Sequence, residues 1–147
     1  MVAGLASSAC SSGGGGGGPG PGTTGTACTQ ASQCYPGLVS DAGDAGGTIL
    51  GTPTCLSLQN GYCTHTCTAD TDCCAVPGEC PTGFTEICAP FESTAQTYCF
   101  LSCSAADIAA AHVTTTDPSV YCQTYANATF TCRSTGGGSA NAKFCGP

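Results

Sequence analysis

Apolar positions along this chain come in short clusters, never in long periodic faces. Aromatic, Thr and β-branched residues gather at Tyr62–Thr66, Thr85–Ala89, Thr97–Leu101, Thr129–Arg133 and Lys143–Cys145. Such clusters, bounded by Gly, Pro and polar residues, predict short strands. A helix is predicted over Ala105–His112, where an Ala-rich run follows Ser104 and Asp107 completes a Ser-x-x-Asp box. Thr114–Thr116 ends it, and Asp117-Pro118 opens a second helical turn that carries Cys122. No run approaches the roughly 20 apolar residues that a membrane-spanning helix requires.

These clusters are too small to hold a domain together by burial. The 147 residues include only 19 Ile, Leu, Val and Phe and no Trp, a content that ordinarily means disorder. The chain also carries 15 Cys, 22 Gly and 9 Pro. At that density disulfides take the place of the missing core. The fold class expected is a small disulfide-rich protein of short β-hairpins with one short helix. A metal-binding reading would want Cys-x-x-Cys pairs, and the chain has none; its close pairs are Cys63/Cys67, Cys99/Cys103 and the vicinal Cys73-Cys74. The expected compartment is therefore oxidising and extracytoplasmic, at an outer membrane or cell surface or in the secreted medium. No cofactor is expected. With two cations, Arg133 and Lys143, and a net charge of −7, nucleic acid is excluded as a partner.

Residues 1–26 form a region of their own. Small residues precede Cys10, and six consecutive glycines follow Ser11-Ser12, then Pro19-Gly20-Pro21-Gly22. That arrangement reads as a lipoprotein-type N-terminus in which Cys10 is acylated, followed by a Gly/Pro-rich tether. The residues before Cys10 lack a cation and a full apolar stretch, so either the true start lies upstream of Met1 or the segment is not a signal and Cys10 is an unpaired linker cysteine; lipidation is the favoured reading.

Setting Cys10 aside leaves fourteen cysteines over 27–147: Cys28, Cys34, Cys55, Cys63, Cys67, Cys73, Cys74, Cys80, Cys88, Cys99, Cys103, Cys122, Cys132 and Cys145. Cys28 to Cys34 and Cys67 to Cys73 share a Cys-Thr start and five intervening residues, and each is followed by a Pro-Gly turn. Lys143-Phe-Cys-Gly-Pro147 echoes Glu86-Ile-Cys-Ala-Pro90. This self-similarity predicts three degenerate four-Cys units, 28–63, 67–88 and 103–145. Cys74 and Cys99 are left over and are expected to bridge the second and third units. Four cysteines allow three connectivities.

At Cys67-Thr68-Ala69-Asp70-Thr71-Asp72-Cys73 the chain resembles the Cys-x-x-Asp-x-Asp-Cys element of whey-acidic-protein and Dickkopf/colipase-like domains. Together with the Gly-rich stretch, it is similar to cysteine-rich surface lipoproteins of Gram-negative soil bacteria. The basic inhibitory loop of whey-acidic modules has no counterpart here, so the resemblance does not extend to protease inhibition. Analogy with small knotted modules implies first-to-third and second-to-fourth pairing in each unit, giving Cys67–Cys80, Cys73–Cys88 and their equivalents.

Candidate chemistry is thin. Asp70 and Asp72 are a weak candidate for Ca²⁺, though Asp also suits turns through local backbone bonds. Imidazole as a group titrates near neutrality, which makes His65 and His112 candidate general bases, but both are expected to be exposed; nothing marks a catalytic constellation, and no enzyme activity is expected. Asp41-Ala-Gly-Asp44 reads as a solvated loop, and the Asn127-Ala-Thr129 sequon as a turn. Tyr35, Tyr62, Tyr98, Tyr121 and Tyr125 could line a glycan- or peptide-binding face, but are expected to fill the thin core. The function expected is a non-catalytic, lipid-anchored structural or binding module at the cell surface, with a protein or glycan as partner. A secreted effector or inhibitor acting on a protein target is the alternative. The Thr-rich, charge-poor strands point to some self-association.

Overall fold

The computed structural model describes residues 22–38, 48–91, 95–136 and 141–147. Cys10, the Gly/Pro-rich stretch up to Pro21, and Asp41 and Asp44 lie outside them. The architecture is three antiparallel hairpins in chain order: β1 (Pro53–Leu56) with β2 (Tyr62–His65), β3 (Glu86–Pro90) with β4 (Thr97–Leu101), and β5 (Thr131–Ser134) with β6 (Lys143–Gly146). Two helices, α1 (Ala105–Ala110) and α2 (Pro118–Tyr125), lie between the second and third hairpins. Short 3₁₀ turns at Ala31–Gln33 and Asp70–Asp72 precede the first and second.

One geometric device recurs in each hairpin. Cys55 faces Cys63 in the first register, Cys88 faces Cys99 in the second, and Cys132 faces Cys145 in the third. Directly opposed residues project from the same face of a pair, so each hairpin offers two sulfurs side by side. Both reach back to the helical segment before them. Cys28–Cys55 and Cys34–Cys63 clamp the first 3₁₀ turn, Cys67–Cys88 and Cys73–Cys99 the second, and Cys103–Cys132 and Cys122–Cys145 the α1–α2 pair. Each hairpin is thus bolted to its own helical segment by a first-to-third and a second-to-fourth bond.

The middle group corrects the expected pairing. Cys67–Cys80, Cys73–Cys88 and a Cys74–Cys99 bridge between units do not occur. Cys99 is the fourth member of the middle group, bonded to Cys73, and the extra pair is Cys74–Cys80, closing a loop of six positions. The reason lies in strand register. Cys99 faces Cys88 across the hairpin, whereas Cys80 sits in a turn before β3 and is bonded to the near residue Cys74. The middle clamp therefore runs from 67 to 99 rather than 67 to 88.

Neighbouring hairpins touch edge to edge. Isolated bridges join Thr66 to Tyr98 and Ser102 to Phe144, and the Thr64 hydroxyl donates to the Cys99 carbonyl at 2.6 Å. One apolar cluster runs through all three: Leu56 and Tyr62 from the first, Ile87, Phe100 and Leu101 from the second, and Tyr121, Phe130 and Phe144 from the third. Tyr62 stacks on Phe100 at 5.6 Å and lies 4.9 Å from Phe130, while Phe100 contacts Phe144 at 5.5 Å. Tyr35, Tyr62 and Tyr121 are fully buried, and Tyr98 and Tyr125 are half-buried against the cluster. No group of rings large enough for its own core exists in any one hairpin, so the three share one.

The helices begin where their caps dictate. Ser104 accepts from the Asp107 amide at 3.1 Å, and Asp107 in turn accepts from the Ser102 and Ser104 hydroxyls. Asp117 caps α2 through the amides of Ser119 and Val120. α1 stops at Ala110, short of His112, which takes a positive φ of 52°. β1 was not expected: Pro53 opens it and Leu56 is its only large apolar residue, a composition confined to edge strands. The strand expected from Thr129 starts instead at Thr131, because Asn127 folds residues 127–129 into a turn, accepting from the Thr129 amide and hydroxyl. The Asn127 amide group also donates to the Gln59 carbonyl at 3.0 Å, tying the third hairpin to the β1–β2 turn. That turn needs Gly61, at φ 68°, since a Cβ there would lie 1.9 Å from the Cys28 carbonyl oxygen.

Candidate functional site

The groups that sequence reasoning singled out separate in space. Asp72 accepts from the Thr68 amide and hydroxyl at 2.7 Å and from the Ala69 amide at 3.0 Å. These bonds hold its carboxyl below the ordinary value. Asp70 accepts from the Cys88 amide at 2.8 Å, tying the 3₁₀ turn to β3. In the first hairpin's clamp Gln33 occupies the place of Asp72 and accepts from Thr29 and the Gln30 amide in the same way. A neutral amide performs the task as well as a carboxylate, so the acidity of Asp72 is incidental to it. Both acids act as turn caps.

His65 corrects the expectation of exposure. It is completely buried, whereas His112 is exposed at the end of α1. All four residues of β2 are buried, since β1 covers one edge, the second hairpin the other, and the core and the first clamp the two faces. An alternating pattern therefore cannot be seen in the sequence of this strand.

Around His65 the fold assembles a polar network from four distant segments. Its Nε2 lies 2.7 Å from Glu79 Oε1, and its Nδ1 lies 3.0 Å from the Thr66 carbonyl oxygen. The Thr66 carbonyl can only accept, so Nδ1 donates to it, and the opposite shifts of the two groups, His65 raised and Glu79 lowered, favour the proton on Nε2 facing a carboxylate. Burial pulls the His65 pKa down, but the bonds to Glu79 and Thr66 outweigh it and the net shift is upward. Burial likewise pushes Glu79 up, and the bonds from His65, Val76 and Cys74 reverse this to a net lowering. Glu79 belongs to the 74–80 loop and organises it, accepting from the Cys74 amide at 2.8 Å and the Val76 amide at 3.1 Å.

Glu86, the first residue of β3, is buried beside this pair. Burial, reinforced by the charge of Glu79, raises its pKa to about 8 against the opposing hydrogen bond from Thr24. Thr24 bonds Glu86 at 2.8 Å and also the Tyr35 hydroxyl. Tyr35, whose pKa burial and Glu86 push up, sets its ring edge-on to His65 at 5.3 Å. The outcome is one ion pair, one neutral carboxylic acid and one neutral phenol in contact inside the protein. Glu79 and Glu86 carried no signal in the sequence, where they are two of nine acids. The one hint was the position of Glu79 next to Cys80, inside a loop that two cysteines could close.

This arrangement is suited to holding segments together. Every oxygen and nitrogen of the His65–Glu79 pair is directed at a protein partner, and the pair is sealed from solvent. The larger surface concavities are open grooves. One of about 660 Å³ runs along Ala27–Thr29, Leu56–Leu58 and Asn60. Among the described residues, each His/Cys/Asp/Glu group close enough to hold a metal ion contains sulfurs already spent in disulfides, and no helix is long and apolar enough to cross a membrane. Comparison with family models, with curated proteins and with solved structures finds no match to this chain, which leaves its geometry to carry the functional argument.

Proposed function

We propose that this protein is a non-catalytic, extracytoplasmic binding or structural module, carried at the cell surface by a lipid on Cys10. The observation that supports the reading is the complete oxidation of Cys28 to Cys145 into seven disulfides. Such a framework is maintained where thiols are not kept reduced. A framework stapled in this way tolerates variation in its longer loops. The Cys34–Cys55 and Cys103–Cys122 connections are the two long ones, and the groove beside Cys28 and Cys55 lies next to the first.

The buried network supports the non-catalytic part of the proposal. Among the described residues His65 is the one imidazole beside carboxylates, and its ring nitrogens are committed to Glu79 and Thr66 behind a closed surface. A general base must reach its substrate, and this one does not. The resemblance to bacterial surface lipoproteins supplies the anchoring: acylated Cys10, then the residues up to Pro21 as the spacer that lifts the stapled region off the membrane, whereas residues 22–26, expected as part of the tether, pack into the fold through Thr24 and the backbone of Cys63.

Two measurements test this. Intact mass of the natural protein with and without alkylation should show no free thiol among residues 28–147, and more than one would overturn the extracytoplasmic framework. The mass of the peptide bearing Cys10 should include its acyl chains; an unacylated, released protein would turn the reading to the secreted effector.

A further inference from the structure

The seven disulfides are not equally accessible. In six of them at least one cysteine is buried: Cys28, Cys34 with Cys63, Cys67, Cys73 with Cys99, Cys103, and Cys122 with Cys145. Cys74–Cys80 alone has both cysteines half-buried. It also spans only 6 positions, against 21 to 29 for the others, and clamps no strand to a helical segment. Opening it leaves the three clamped hairpins intact.

Its surroundings are those of an exchange site. A carboxylate oxygen of buried Glu86 lies within 4.8 Å of both sulfurs. A surface cleft of about 340 Å³, lined by Cys73, Cys74, Thr85 and Glu86 among others, leads to this point. Cys74 has a φ of 60°, a left-handed conformation unusual for a residue with a Cβ. The backbone there is held by the bonds that the Cys74 and Val76 amides donate to the Glu79 carboxylate, which do not depend on the disulfide. After reduction those bonds keep the two thiols together, ready to close again.

We propose that Cys74–Cys80 is a reversible thiol–disulfide exchange site for low-molecular-weight thiols, with Glu86 as the proton donor to the departing sulfur. An incoming thiolate attacks one of the two sulfurs; the Cys74–Cys80 bond breaks as the mixed disulfide forms. The electron pair goes to the other sulfur, which takes a proton from the Glu86 carboxyl, and solvent returns that proton. A second thiol then resolves the mixed disulfide. In sum, Cys74–Cys80 is reduced to two thiols by two electrons, and two external thiols are oxidised to their disulfide. Burial keeps Glu86 protonated near neutrality, as this role requires.

The test is a time course of the oxidised protein with glutathione, and in parallel with dithiothreitol. Released thiols are trapped by isotope-coded alkylation and mapped by peptide mass spectrometry, while far-UV circular dichroism follows the fold. Cys74 and Cys80 should be labelled first, about tenfold or more ahead of any other pair, given the dependence of exchange on access, with the spectrum unchanged. Re-oxidation should restore the same pair. Earlier opening of another pair, or simultaneous opening of all with loss of the spectrum, overturns the proposal. Glu86→Gln should slow the first labelling several-fold near neutral pH and flatten its pH profile while the order of opening is kept. An unchanged rate and profile removes Glu86 from the step. Cys74→Ala/Cys80→Ala should lack the fast phase altogether, and a fast phase that survives refutes the assignment.

Discussion

Replacing Glu86 by Gln should make this protein more stable at neutral and alkaline pH, and the size of the gain follows from burial. In the unfolded chain Glu86 loses its proton near the ordinary value of 4.5, whereas in the folded protein it holds the proton to about 8. Folding therefore carries a bound proton that the unfolded chain gives up, and stability is fully present below about 4.5 and falls as pH rises towards 8. Each pKa unit is worth about 1.4 kcal/mol, so the interval amounts to at most about 5 kcal/mol of lost stability. Gln has the same shape, accepts the Thr24 hydrogen bond at its carbonyl, and has no proton to lose. The two proteins should coincide near pH 4.5 and diverge to about 4 kcal/mol at pH 8 by the same linkage. His65, whose pKa is also raised, adds a decline with rising pH that the variant retains, so a residual slope is expected. Guanidinium titrations of the oxidised proteins at several pH values, followed by tyrosine fluorescence, measure this directly. A wild-type stability that is flat between pH 5 and 8, or a variant that runs parallel to it, would refute the reasoning.

Glu79→Gln should act in the opposite direction. It removes the charge opposite His65 and turns an amide group towards one of the donors that the carboxylate satisfies, and breaking a buried pair in this way costs about 3–5 kcal/mol; a loss below 1 kcal/mol in the same titrations would show the pair to be idle. Cys34→Ala/Cys63→Ala opens a span of 29 positions and should cost about 3.5 kcal/mol by loop entropy, whereas Cys74→Ala/Cys80→Ala, spanning 6, should cost about 2 kcal/mol; a reversed order in calorimetry would contradict the clamp description. Asp117→Ala should lower stability by about 1 kcal/mol through the lost cap of α2, seen as a reduced midpoint with an unchanged denaturant slope. Because Asp70 and Asp72 are committed to amide donors, Ca²⁺ should leave the melting temperature where it is, and an upward shift would restore them as a cation site.

The sequence was most legible where a single residue has a local job. Ser104 with Asp107, and Asp117 with Pro118, announce helix starts because a cap and its amide lie within three positions. Five of the six strands were readable from their aromatic and Thr content, one of them two residues out of place, and the cysteine count led to the stapled fold. What could not be read depends on register. The middle clamp passes from Cys73 to Cys99 because Cys99 faces Cys88 across a hairpin, and spacing carries no trace of that pairing. The polar network was hidden for a related reason. His65, Glu79, Glu86, Tyr35 and Thr24 come from separate stretches, and an acid looks the same in a sequence whether it meets water or an imidazolium.

The vicinal pair Cys73-Cys74 has a consequence for how the chain reaches this state during oxidation. Six of the seven bonds draw both partners from within one four-cysteine clamp, so they call for no choice between groups. At Cys73-Cys74 that logic fails. Cys80 follows at once and can be captured by either neighbour, while Cys99 arrives last, after β4 has been made. Capture of Cys80 by Cys73 leaves Cys74 to meet Cys99, an isomer with the same mass, the same number of bonds and a mis-set middle hairpin. The chain thus carries a two-way junction here, which thiol–disulfide shuffling resolves by moving Cys80 from Cys73 to Cys74. The fraction trapped as the mispaired isomer should fall when Cys74 and Cys80 are both replaced by Ala.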